Sequence, residues 1–299
     1  MGAFARAPHP EFDQALVQGH SGCEVALHRT ERSVSVEKRA TDPAYSNRLE
    51  RQIAKQKQWA DELPLTFVRV PRVLEEGARA GCYFARMEYV YFLDSVRFFE
   101  TASRSTIDQV ARMIFETVDY EVSRSPLCAV PASVFLRKLD DVAEALRRQQ
   151  AFEHHASAVA ALRQWFDSRA GLELPLGLCH GDLTFSNLML SSDAQSLALI
   201  DFLDSFLESP IVDLAKLQQD TRFCWTLFVS QPQADRTRFR QVMAYIDALL
   251  CRRYGGQAWY ARNIDALQCL NLLRIAPYAK DMRTHRFLQQ CLQSLKLQP

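Results

Sequence analysis

Two periods of apolar and polar positions run along this chain, and the change from one to the other divides it. Within 25–40, Val34 and Val36 alternate with Ser33, Ser35 and Glu37, which predicts a strand ending near Lys38. Asp42-Pro43 then has the form of a helix start, an N-cap acceptor followed by proline at the first helical position. Leu49, Ile53, Gln56 and Ala60 recur at i, i+4, i+7 and i+11, one stripe of a helix over 44–61. Pro64 and Pro71 bracket its exit, and the apolar run Cys82–Val90 predicts a buried strand. Residues 1–90 therefore read as a compact α+β unit.

Beyond Val90 the period lengthens to that of helices. Ile107, Val110, Ile114 and Val118 mark a helix over 105–123, and Leu136, Leu139, Val142, Ala143 and Leu146 another over 134–148. Segments 157–168, 211–230, 236–254 and 260–276 continue the pattern. The exception is 177–204, where the short apolar runs Leu188–Leu190 and Leu197–Phe202 flank the polar turn SSDAQS, the punctuation of a hairpin. The expected organisation is thus 1–90 followed by a larger, mostly helical part, 91–299.

Composition narrows the function classes. With 36 Lys+Arg against 35 Asp+Glu, the net charge of +1 offers no excess of positive charge for nucleic acid or an acidic membrane surface. No window approaches the roughly 18 consecutive apolar residues of a spanning helix, and the first residues lack the apolar core of a signal peptide. The eight cysteines are scattered without a C-x-x-C pair, which speaks against a zinc or redox motif and fits buried thiols in a reducing compartment. The expectation is a cytoplasmic protein.

The chemistry concentrates in His180-Gly181-Asp182-Leu183-Thr184-Phe185-Ser186-Asn187 and in Leu199-Ile200-Asp201-Phe202. A hairpin brings its open ends together, so Asn187 and Asp201 can converge on one ion. Such oxygen ligands suit Mg²⁺, which takes one or two protein ligands and completes its shell with phosphates and water. Asp182, in the preceding loop, is placed to orient an attacking hydroxyl and accept its proton.

These residues resemble the catalytic and metal-binding segments of the aminoglycoside phosphotransferase/choline kinase family, relatives of the protein kinases. The order H-x-D-x-x-x-x-N, about 14 residues, then I-D-F carries the resemblance. It implies an α+β, two-lobed, protein-kinase-like fold, with a small β-rich nucleotide-binding lobe and a larger, mostly helical lobe holding the catalytic loop, metal site and acceptor pocket. It implies Asp182 as catalytic base and Asn187 and Asp201 as Mg²⁺ ligands, with ATP as co-substrate and a small hydroxylated molecule as acceptor. Gly181 stands where protein kinases have arginine, which points to small-molecule substrates. His180 would support backbone geometry, and Asp213, in the segment Glu208–Ala215, would brace the catalytic loop.

The resemblance also implies a nucleotide site. Gly19, Ser21 and Gly22 would form the phosphate-covering loop, where glycines let backbone N–H groups approach phosphate closely. Lys38, or Arg39 if the register slips by one, would pair with the α/β-phosphates. Glu50 is the candidate helix partner of that lysine, with Gln52 and Gln56 as alternatives. Backbone groups of Glu88 and Val90 would meet the adenine edge. Histidines 9, 20, 28, 154, 155 and 285 read as surface residues. The aromatics of 220–262 read mainly as core. The arginines of 205–299, including Arg236, Arg238, Arg240, Arg252, Arg253 and Arg262, disfavour a polycationic acceptor and favour a neutral or anionic, sugar-like one. Choline-type and aminoglycoside-type kinases, and an ATP-binding regulator without turnover, are the alternatives.

Overall fold

The computed structural model describes residues 16–18, 22–31, 33–229 and 235–297. The chain forms two compact units, one from the chain up to Glu62 together with Val70–Tyr91, the other from Leu63–Arg69 together with Phe92–Pro299. The short segment 63–69 thus belongs with the second unit, a departure from a single cut after residue 90.

In the first unit, β1 (Leu16–Gln18), β2 (Cys23–Arg29) and β3 (Val34–Ala40) precede α1 (Pro43–Glu62). After β4 (Val68–Arg69), which lies in the second unit, come β5 (Val73–Arg79) and β6 (Cys82–Glu88). The five strands form one antiparallel sheet in the order β1-β2-β3-β6-β5. The single strand expected within 25–40 is a hairpin, because Thr30 and Ser33 close a turn between its arms. Asp42 caps α1, its Oδ1 accepting from Tyr45 N at 2.9 Å. The helix lays Leu49 and Ile53 against Ala40, Ala85 and Met87, the core of this unit.

The second unit opens with β7 (Leu93–Asp94), α2 (Ser95–Thr101) and α3 (Arg104–Ser123). The strand β8 (Leu127–Pro131) pairs with β9 (Gly171–Pro175) in a hairpin that encloses α4 (Ala132–Arg148) and α5 (Ala156–Asp167) in sequence. The expected 177–204 hairpin is β10 (Leu188–Leu190) and β11 (Leu197–Leu199), flanked by β7 and β4 in one four-stranded sheet. Among the described residues six α-helices follow: α6 (Pro210–Thr221), α7 (Trp225–Val229), α8 (Arg236–Tyr254), α9 (Ala258–Ala261), α10 (Ile264–Ile275) and α11 (Met282–Ser294).

The helix expected over 211–230 is broken. Cys224 adopts φ 55°, and its N–H bonds back to Asp220 O, which separates α6 from α7. All twelve residues of α6 are buried, six of them polar, and it packs against α3, α8 and α10. A helix buried all round is the center of its unit, and its polar residues need partners there.

Two other expectations change. His155 and His285 are buried, not on the surface; brought together from α11 and the start of α5, they share a hydrogen bond of 3.0 Å between His155 Nε2 and His285 Nδ1. Tyr254, Trp259 and Tyr260 are core residues, whereas Trp225 and Phe228 are half-buried and pack with Phe287. His28 is half-buried and faces Glu37 at 3.4 Å; His9 and His20 lie outside the described residues.

Candidate active site

The candidate loop, 180–187, is held largely through its backbone groups. His180 bonds in both directions: Asp182 N–H donates to its Nδ1 at 3.2 Å, so Nε2 carries the proton and donates to Ile200 O at 3.0 Å. Leu203 N–H donates to His180 O, and the imidazole packs on Phe202 with 4.3 Å between ring centroids. The histidine therefore ties the loop to the segment that carries Asp201. Gly181 adopts φ 87°, a left-handed conformation that a larger residue would strain.

Asn187 and Asp201 stand at the open end of the β10–β11 hairpin. Leu188 pairs with Leu199 in the ladder, and Ile200 N–H donates to Asn187 O at 3.1 Å. Asn187 Nδ2 donates to Asp182 O at 2.9 Å and to Asp182 Oδ2 at 3.0 Å, which leaves its amide oxygen as a hard donor. Asp201 adopts φ 63°, uncommon outside glycine and tolerated best by aspartate and asparagine. Strained backbone of this kind recurs where a site fixes a side chain at some cost in stability. Among the described residues there is no cluster of three or more His, Cys, Asp or Glu able to hold a metal. An amide oxygen and a carboxylate on adjacent hairpin ends still match the oxygen chemistry of Mg²⁺, which needs few protein ligands.

Three residues of α6 complete this loop. Asp213, fully buried, accepts from the backbone N–H groups of His180, Gly181 (2.8 Å) and Leu183 (3.2 Å). Lys216 Nζ lies 2.9 Å from Asp182 Oδ1. Asp220 accepts from Phe185 N at 2.8 Å and from Thr226 N at 2.6 Å. Positions 213, 216 and 220 are i, i+3 and i+7, so they share one face of the helix and meet the loop at its beginning, middle and end.

Burial works on the two carboxylates differently. It pushes Asp182 up, but the Lys216 ammonium close by, with His180 and Arg274, outweighs it and holds Asp182 below the usual carboxylate range. Asp220 is pushed up to about 6 by burial, only partly offset by the N–H donors of Thr226 and Phe185. Asp182 is thus an anion that can accept a hydrogen bond from an incoming hydroxyl.

In the first unit Lys38 is half-buried and paired in register with Val25 and Ala85. It shares a strand face with Val36 and Ala40, the residues that meet Leu49 and Ile53 of α1. Arg39 lies on the opposite strand face and bonds Glu24 at 2.6 Å, as Glu37 there bonds Arg79, so of the two candidates Lys38 is the one on the face toward α1. Glu50 is exposed, whereas Gln52 and Gln56 are buried. Gln56 Nε2 is committed to Pro71 O at 2.7 Å. Glu88 grips Arg72 with its carboxylate and with its backbone N–H, and Val90 is buried. Gly19 and Ser21 lie outside the described residues. Gly22 has a packing reason of its own, since a Cβ there would sit 2.7 Å from the Tyr45 ring.

Sequence reading missed Lys216 and Asp220. The signal was present, as three charged residues at i, i+3 and i+7 on one face of the helix. It also overweighted the arginines: Arg238 donates to Phe99 O and Ala102 O, Arg253 pairs with Asp119, and Arg222 with Asp265.

A loop braced in this way, with aspartate and asparagine at its center and an aspartate across a hairpin, defines a phosphotransferase of the protein-kinase-like type. The family model of the phosphotransferase enzyme family matches residues 17–253, and the chain belongs to that family. It is a small-molecule kinase with a mixed α+β fold, β-rich in its first unit and largely helical in its second. No curated protein matches the sequence. Among solved structures, a thermostable mutant of aminoglycoside phosphotransferase APH(4)-Ia in its apo form matches with a TM-score of 0.64 and 12% identity, over 95% of this chain and 94% of that one. Aminoglycoside phosphotransferase APH(3'')-Id from Streptomyces rimosus matches with a TM-score of 0.56 and 20% identity, over 89% and 94%. These likenesses are likenesses of fold.

Proposed function

We propose that the protein transfers the γ-phosphoryl group of ATP to a hydroxyl of a small, sugar-like molecule. The observation that carries this reading is the Asp182–Asn187 pair, held at 3.0 Å on a loop whose backbone is braced by Asp213. Asp182 aligns the acceptor hydroxyl and takes its proton as the new O–P bond forms and the bond to the ADP oxygen breaks. Asn187 and Asp201 would hold Mg²⁺, which when bound neutralises charge on the phosphate oxygens. Lys38 would fix the nucleotide phosphates, with Gly19, Ser21 and Gly22 covering them and the backbone of Glu88 and Val90 meeting the adenine. Glu50 is exposed, so Gln52, on the buried stripe of α1, is the better candidate partner for Lys38. The first unit then serves as the nucleotide-binding lobe and the second as the catalytic lobe, in a cytoplasmic enzyme.

Relatives of the same fold were solved with an ATP analogue and hygromycin B, or with ADP and streptomycin. This supports ATP as donor and keeps an aminoglycoside-type acceptor as the second reading. Lys216 and Arg274, the cations acting on Asp182, favor a neutral or anionic acceptor instead. A ³¹P NMR screen of hydroxylated metabolites and aminoglycosides with Mg·ATP identifies the hydroxyl that gains phosphate. Asp182→Asn should abolish transfer while Mg·ATP still binds; full turnover in that variant would remove Asp182 from the chemistry.

A further inference from the structure

Lys216 takes no part in the transfer step derived above beyond its charge beside Asp182, yet it is nine-tenths buried on the central helix. A buried ammonium is costly to desolvate, and an apolar side chain of similar volume at such a site is often neutral or stabilising. A residue kept there solely for stability would not need its charge.

The geometry around Asp182 supplies a reason. Its Oδ2 accepts from Asn187 Nδ2 at 3.0 Å, and its Oδ1 lies 2.9 Å from Lys216 Nζ. The two contacts grip opposite oxygens and fix the rotation of the carboxylate. Asn187 follows Asp182 in the same loop, whereas Lys216 comes from α6. That helix also anchors the loop backbone through Asp213 and Asp220, so Lys216 sets the carboxylate relative to the frame that holds the loop.

We propose that Lys216 is a positioning residue for phosphoryl transfer, acting through Asp182 by locking the carboxylate in the orientation that receives the acceptor hydroxyl. Held this way, each Asp182 oxygen keeps a lone pair for the incoming O–H, and the hydroxyl oxygen is aimed along one line. A carboxylate freed on one side rotates and aims poorly, so the loss falls on turnover and not on nucleotide affinity.

The inference rests on Asp182 being the base, and the test separates the two. Turnover of Mg·ATP is followed with water as acceptor and with any acceptor found by the ³¹P screen. The wild type, Lys216→Met, Lys216→Arg, Asp182→Asn and Lys216→Met/Asp182→Asn are compared. Lys216→Met should melt at or above the wild-type temperature and bind a fluorescent ATP analogue within about 2-fold of wild type. Its kcat should fall about 30-fold or more with the KM for ATP nearly unchanged. Lys216→Arg should recover part of the loss, and in the Asp182→Asn background, where transfer is abolished, the Lys216 change should leave the affinity for the ATP analogue unaltered. A Lys216→Met enzyme within 2-fold of wild-type kcat overturns the proposal, as does a loss of affinity for the ATP analogue of about 10-fold or more in either background. If Lys216→Met does not fold, Lys216 is structural at that site and the proposal fails unless Lys216→Gln, folded, shows the same kcat loss. Absence of turnover in the wild type, or full turnover in Asp182→Asn, sinks the underlying reading instead.

Discussion

Replacing Asp213 by asparagine keeps the shape of the side chain and changes what it can accept. The carboxylate takes three backbone N–H groups, from His180 on one oxygen and from Gly181 and Leu183 on the other. In the variant the amide oxygen retains the Gly181 and Leu183 bonds, and the NH₂ group turns toward the His180 N–H. One charge-assisted bond, worth about 1.5–3 kcal/mol, is lost, and two buried donors face each other at a cost of about 1–3 kcal/mol. The expected destabilisation is roughly 3–5 kcal/mol. A second account of Asp213 is that it is simply an acid in the first turn of α6, favored by the helix dipole; that contribution is only about 0.3–1 kcal/mol. Urea unfolding separates the two. With a slope of about 1–3 kcal/mol per M, the midpoint should fall by at least about 1 M, and kcat should fall with it because the loop carries Asp182. A loss below about 1 kcal/mol would leave only the dipole role and refute the bracing argument.

The remaining predictions address the hairpin and the buried histidine pair. Asp201→Gly should be at least as stable as wild type, since glycine accepts φ 63° freely, while Asp201→Ala should lose about 1 kcal/mol in thermal or urea unfolding. Both should weaken Mg-dependent nucleotide binding in a titration calorimeter, and unchanged affinity would count against the metal role. His155 is pulled down to about 4 from 6.5, first by burial and then by the neighboring His285 and His154. The unfolded chain therefore binds the proton more readily, so this contribution is fully present above pH 6.5 and is lost as pH falls toward 4, by at most about 3 kcal/mol. Asp220, raised to about 6, acts oppositely, favoring the fold at low pH and losing that contribution as pH rises to about 6. Stability measured from pH 4 to 7 in His155→Phe should show a flattened or inverted slope, and a slope equal to wild type would dismiss the histidine account.

The parts of the site that were legible in the sequence are those made by neighbors. Asp182, Asn187 and Asp201 lie within 20 residues on a loop and one hairpin, so short apolar runs and a polar turn suffice to bring them together. Asp213 is visible as an acid just inside a helix start. The features that escaped depend on distant pairing or on unusual backbone. The antiparallel β8–β9 pair joins segments 40 residues apart; each strand is only five residues long and ends in proline, and LCAVP, apolar nearly throughout, carries no period-two polarity pattern. His155 and His285 meet across 130 residues. The end of α6 at Cys224 uses a left-handed non-glycine residue, which carries no turn signature.

The same reasoning explains why α6 misleads when read as an amphipathic helix. Its polar residues look like a solvent face, but every one of them is buried and each answers a particular group: Gln218 reaches the Tyr260 hydroxyl, Gln219 accepts from Asn271, and Thr221 donates to Asp247. A surface helix would not need such pairing, and a purely structural core helix would do better with apolar side chains. Polar groups on a central helix persist where they hold something that apolar packing cannot, here the backbone of a loop whose residues must stand at fixed angles. Of the three residues facing that loop, Asp213 and Asp220 hold amides and only Lys216 holds the carboxylate itself. The stripe thus separates by chemistry into two anchors and one aiming device. Accordingly, substitutions at 213 and 220 should register first in stability and those at 216 first in kcat.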